Sequence, residues 1–186
     1  MGPKGWICYP YGMSKNSKLM EMLTGYAAAH QHPFNIAVHM VGIPTIMLGV
    51  FIPLTWLAIE AFDYRLTAAQ IAVIGMFVFY MTLDRVFGLV FLVAGSLVAL
   101  LADALGNLGQ PTSSIIAAAA FFGGYLAQFV GHAVEKSTPV VLKHPVQANL
   151  AAPFFTIVEI FHMLGLRQEL FDQVNAEIAT RRAEQT

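Results

Sequence analysis

Histidine is the residue type through which this chain could do chemistry, and two short stretches concentrate it. In the first, YAAAHQHPFNIAVHMVGIP over residues 26–44, Tyr26, His30, His32, Asn35 and His39 fall within fourteen positions. Tyr26 and His30 are four residues apart, as are Asn35 and His39, which on a helix puts each pair on one face. In the second, QFVGHAVEKSTP over residues 128–139, Gln128 and His132 are four residues apart and His132 and Glu135 three, so all three can point one way. Neutral imidazole ligates iron, zinc and copper, while a nearby carboxylate completes the shell or orients a ligand's distal N–H. Other chemistries lack their signatures: there is no Gly-rich phosphate loop, Ser nucleophile elbow or paired-carboxylate pattern. The single cysteine, Cys8, excludes an intramolecular disulfide and any Cys-rich zinc or iron–sulfur site.

The elements that carry these residues must be membrane helices. Of 186 residues, 57% are hydrophobic and 11% charged, against roughly 25% charged in a soluble domain. Mean hydropathy is +0.64. A net charge of -1 removes the basic surface that nucleic acid would require. Long apolar runs at 36–62, 66–83, 86–105 and 114–134 each approach the length a helix needs to cross the bilayer. No period-2 run or hairpin dipeptide argues for strands. The expected fold is therefore an all-α polytopic membrane bundle of about four transmembrane helices plus interfacial helices. Residues 1–16 read as an irregular arm, 17–170 as the membrane-embedded catalytic domain, and 171–186 as a polar C-terminal helix or tail.

Lys4, Lys15 and Lys18 precede the first run and Lys136 and Lys143 follow the fourth, so the positive-inside rule puts both termini in the cytoplasm. His30, at the end of one helix, His39, one turn into the next, and His132 then converge at one depth near the cytoplasmic face, with Pro33 bending the chain between the first two. Ionisable groups at membrane depth are costly unless paired, coordinated or solvated. His32 points elsewhere from His30, His144 lies in a polar loop, and His162, three residues after Glu159, is a weaker candidate. Asp84 and Asp103 sit near helix ends, where a structural role suffices.

Taken together, Y-x3-H-x4-N-x3-H-x2-G-I-P (Tyr26, His30, Asn35, His39, Gly42, Ile43, Pro44) and Q-F-x-G-H-x2-E-x3-P (Gln128, Phe129, Gly131, His132, Glu135, Pro139) resemble the 2-hydroxy fatty acid dioxygenase family. Ala152, Pro153 and Glu159 fit a later segment of it. Fungal members act in the α-oxidation step of phytosphingosine breakdown at the endoplasmic reticulum. The resemblance implies an Fe(II)-dependent dioxygenase that converts a 2-hydroxy fatty acid and O2 into CO2 and the acid one carbon shorter. It implies His30, His39 and His132 as metal ligands, with Glu135, Asn35 and Tyr26 as catalytic partners. It also implies a lipid substrate taken from the membrane, whether a bacterial inner membrane or the endoplasmic reticulum. Without the resemblance, a metal or proton transporter and a structural membrane protein compete with that reading.

Overall fold

The computed structural model describes residues 18–183, apart from 29, 62 and 63; the arm expected over 1–16 and the last residues of the tail lie outside the described residues. Seven α-helices follow one another: α1 (Lys18–Ala27), α2 (Pro33–Thr55), α3 (Ala68–Leu83), α4 (Arg85–Gly106), α5 (Thr112–Glu135), α6 (Pro145–Met163) and α7 (Gln168–Ala183). A 3-10 turn, Val140–Leu142, precedes α6.

Three helices, α2, α4 and α5, are long and apolar enough to cross a membrane, and a fourth meets the same length and composition if α6 and α7, bent by 115°, count as one span. The run at 66–83 gives α3, whose 16 residues reach about 24 Å at 1.5 Å per residue, short of the hydrocarbon thickness. Val78, Val93, Leu97, Leu100, Ile115, Phe122 and Leu126 all point outward from the bundle. In water such a band would be a liability; against acyl chains it is the expected surface. The protein is a membrane helix bundle.

The first apolar run was expected to stay helical to 62, but α2 stops at Thr55 and two strands follow, β1 (Ala58–Ala61) pairing antiparallel with β2 (Tyr64–Thr67). The 23 residues of α2 already suffice for the crossing. Arg65 on β2 then holds the exit: its guanidinium donates to the Thr55 carbonyl at 2.7 Å and pairs with Asp103 of α4 at 2.6 Å. A carbonyl orphaned by the helix end is thereby satisfied. The strands escaped notice because their apolar residues continue the composition of α2.

Local caps explain the other boundaries. Thr67 and Gln70 form a capping box at the start of α3. Asp84 ends α3 and begins α4, its carboxylate accepting from the Val86 and Phe87 amides, while its second oxygen meets Arg167 at 2.7 Å. The tight corner expected at Asp84-Arg85 is thus real, and Arg167 ties to it the α6–α7 turn.

Packing places α1, α6 and α7 over the end where α2 begins and α5 finishes. Tyr80, Phe87, Phe91 and Phe154 are fully buried and stack edge to face or tilted, joining α3 and α4 to α6. The Tyr80 hydroxyl donates to the Leu150 carbonyl at 2.7 Å. The C-terminal helix, read as polar, nevertheless buries Leu170, Phe171, Val174 and Ile178 in the same core as Leu19 and Leu23 of α1.

The α2–α5 seam is close enough for backbones to touch. A Cβ on Gly49 would lie 2.5 Å from the Phe121 amide nitrogen, and one on Gly124 would lie 2.6 Å from Ile46 and 3.1 Å from the Gly42 carbonyl. Small residues at such seams are how helices associate where hydrophobicity gives no drive. Gly49→Ala should lower stability by about 1–3 kcal/mol, the usual cost of overpacking. Gly123→Ala on α5, where a Cβ meets nothing within 4 Å, should be neutral or slightly stabilising. Thermal unfolding in detergent compares the two, and equal melting temperatures would contradict the seam.

Candidate metal centre

His30 lies in the corner between α1 and α2, His39 in the second turn of α2 and His132 in the last turn of α5. The fold brings all three together, with exposures of 4%, 2% and 3%. One ring nitrogen from each lies within 4.8 Å of the others, and the Nε2 atoms of His30 and His39 are 3.1 Å apart.

The opposite nitrogens explain why Nε2 faces inward. His30 Nδ1 is 2.7 Å from the Tyr26 carbonyl and His39 Nδ1 is 2.9 Å from the Asn35 carbonyl. A carbonyl only accepts, so both Nδ1 atoms carry the proton and both Nε2 atoms present lone pairs. His132 Nδ1 sits 2.8 Å from the Ser137 hydroxyl, which can accept in the same way. Two lone pairs held 3.1 Å apart repel unless a proton or a cation lies between them. Burial, reinforced by the neighbouring imidazoles, pushes His30 down to about 3, so a shared proton is disfavoured. The donor set therefore suits a metal ion: three neutral imidazoles, each oriented from its distal nitrogen.

Glu135 does not point at the imidazoles. Its Oε1 accepts from the Gln31 and His32 amides at 2.7 and 3.2 Å, and its Oε2 from Asn35 Nδ2 at 2.5 Å. The carboxylate thus closes the N-terminal end of α2, where a negative charge is favoured, and ties the corner bearing His30 to the end of α5. Asn35 is fully buried, with its Oδ1 unpartnered, wedged against Gly131 where any Cβ would collide with it. Tyr26 stacks flat on His30 with centroids 4.0 Å apart, and Phe155 backs it at 4.2 Å.

The remaining histidines stay outside. His32 is exposed and caps α2, its Nδ1 accepting from the Phe34 amide at 3.2 Å. His144 is exposed at the start of α6. His162 stacks on Phe171 of α7 at 4.2 Å, and Glu159 is buried one turn before it. Asp84 and Asp103 pair with arginines, as their positions at helix ends suggested.

Two features escaped the sequence reading. Ser137 reaches His132 because Lys136 adopts a left-handed conformation, φ 58°, that folds the chain back; no spacing rule announces it. The four-residue spacings of Tyr26 with His30 and Asn35 with His39 were noticed, but their meaning differs. What binds each ring is the backbone carbonyl four residues back.

A cleft opens onto the imidazoles between α2, α5 and α6, walled by Ile43, Ile46 and Met47, by Phe129, and by Ala152 and Pro153. Across it the Tyr125 hydroxyl donates to Asn149 Oδ1 at 2.7 Å. Its lining is apolar apart from the histidines and a few amide and hydroxyl groups, so it suits a hydrocarbon chain with one polar end.

Comparison with known proteins points the same way. Residues 16–164 match the family model described as 2-hydroxy-palmitic acid dioxygenase Mpo1-like. The chain is 31% identical over 153 residues to the 2-hydroxy-palmitic acid dioxygenase MPO1 of Saccharomyces cerevisiae, covering 82% of this chain and 84% of the yeast protein. No solved structure matches.

Proposed function

This chain belongs to the Mpo1-like family, and from that premise we propose that it is an Fe(II)-dependent dioxygenase of 2-hydroxy fatty acids. The reaction joins the acid, R–CH(OH)–COOH, with O2 and yields R–COOH, CO2 and water. The observation that carries the reading is the inward-facing imidazole triad of His30, His39 and His132, a ligand set with a largely apolar cleft opening on it. Iron, when bound, supplies the one-electron chemistry that O2 requires.

The chain's own residues do the rest. His30, His39 and His132 hold the ion. The Tyr26 and Asn35 carbonyls and the Ser137 hydroxyl keep their rings in the ligating tautomer. Glu135 and Asn35 position the corner rather than react, and Tyr26 packs the His30 ring in place. The walls of α2, α5 and α6 hold the acyl chain and exclude water, leaving the 2-hydroxy acid head towards the imidazoles. In the membrane, α2, α4 and α5 cross and the shorter α3 carries the chain back between α2 and α4, which leaves the start of α2 and the end of α5 on one side. The centre lies near the cytoplasmic face, with Lys18, Lys136 and Lys143 at its end of the bundle. The histidines cluster at this one end, an arrangement that suits a catalytic site better than an ion or proton relay through the bilayer.

Protein purified without oxygen or chelators should contain one iron per chain by metal analysis. A 2-hydroxy fatty acid should stimulate O2 uptake and release CO2, while the same acid lacking the hydroxyl should do neither. Iron-free protein, or equal turnover of both acids, would overturn the assignment.

A further inference from the structure

The triad is buried, and the cleft that serves it is mostly hydrocarbon, with no carboxylate in its lining to take a divalent ion from water. A second cavity also has His30 in its wall. It lies between α1, α6 and α7, measures about 270 Å³, and carries Gln31, Glu159, His162 and Asn175 among its lining residues. Gln31, His162 and Asn175 are exposed, so this cavity communicates with the polar face of α7 and is roomy enough for several waters.

Glu159 is the unusual member. It is 8% exposed, and among the described residues no hydrogen bond or ion pair is seen at its carboxyl; His162 lies one turn on. A buried carboxyl without a partner is costly, and cavity water or a cation is what relieves it. Carboxylate, imidazole and amide oxygen are the ligand types that iron and zinc accept. The same cavity ends on one imidazole of the triad.

We propose that this cavity is the entry path of the metal ion, with the Glu159 carboxyl as the staging ligand that takes the ion from water before His30, His39 and His132 receive it. The proposal rests on the triad being a metal centre, and the division of labour follows from polarity. The lipid substrate uses the cleft without a carboxylate, and the ion uses the cavity that carries Glu159 among otherwise mixed apolar and polar walls. Glu159 influences how fast the centre fills without belonging to it.

The test follows Co(II) uptake by full-length, metal-stripped protein in detergent, read from the ligand-field absorbance that appears as imidazoles bind. Glu159→Gln should slow uptake about tenfold or more, the scale of losing a group that supports a metal site. Release should slow by the same factor, so that overnight occupancy equals that of the parent. Glu159→Asp should recover part of the rate. Met47→Trp, which fills the apolar cleft, should leave uptake unchanged. Parent rates in Glu159→Gln would overturn the proposal. So would a lower final occupancy, which would make Glu159 part of the centre, or equal slowing by Met47→Trp, which would put the path in the cleft. If the parent itself takes up no Co(II), the metal-centre reading fails, a separate outcome from failure of the path.

Discussion

His39→Ala should abolish both metal retention and turnover of a 2-hydroxy fatty acid, by more than about a hundredfold, because losing an outer partner of a ligand already costs 10–100-fold. His39 is the anchor to remove first, since it stands on α2 itself and its Nε2 faces that of His30 at 3.1 Å. The same distance separates a ligand from a merely structural role. In metal-free protein two opposed lone pairs are a local repulsion, and removing one relieves it. The metal-free variant should therefore melt close to the metal-free parent. Added Fe(II) should stabilise the parent, by about 2.7 kcal/mol at a hundredfold excess over its Kd, and leave the variant unmoved. Calorimetry or a thermal-shift series with and without metal, beside an O2-uptake assay, reads all of this. A variant that keeps its metal and its turnover removes His39 from the site.

Glu135→Ala should weaken metal binding by about 10–100-fold while leaving every ligand in place. Its carboxylate accepts from the Gln31 and His32 amides and from Asn35, so its loss frees the corner that holds His30. Water can replace it on the two exposed amides, which limits the stability loss to about 1–3 kcal/mol, the scale of one lost charge-assisted bond. The informative comparison is Glu135→Gln. An amide retains an acceptor for the corner amides, and the Asn35 amide, whose Oδ1 has no partner, can turn over to receive the new N–H. The glutamine variant should lose less than about tenfold, well short of the alanine variant. Were Glu135 a metal ligand, the two would fail alike. Metal titration of the three proteins distinguishes clamp from ligand.

Much of this is legible in the amino-acid sequence. The runs that became α2, α4 and α5 announce themselves by length and apolarity, which is all a lipid-facing helix needs. The convergence of His30, His39 and His132 followed from putting Lys18 and Lys136 on one side of the membrane. What escaped depended on contacts that no local pattern carries. Glu135 meets Gln31 across 104 residues, a contact that its spacing from His132 does not announce. The end of α2 depended on Arg65 arriving at the Thr55 carbonyl, a tertiary event that composition at 56–62 cannot foretell. The second cavity at His30 needed α7 to fold back across the bundle, and α7 looked too polar to be drawn there. Its buried residues, Leu170, Phe171, Val174 and Ile178, repeat at helical spacing within that polar sequence.

The seam between α2 and α5 reaches further than stability. His39 rides on one of these helices and His132 on the other, so the starting separation of two donor nitrogens is inherited from how nearly the backbones approach. Gly42, Gly49 and Gly124, with no chemistry of their own, set that approach along the seam. For the proposed metal centre, the bond lengths offered to an ion are then partly set by methyl groups the protein leaves out. Retuning the metal need not touch a ligand: widening the bundle by one small side chain is enough to move the nitrogens.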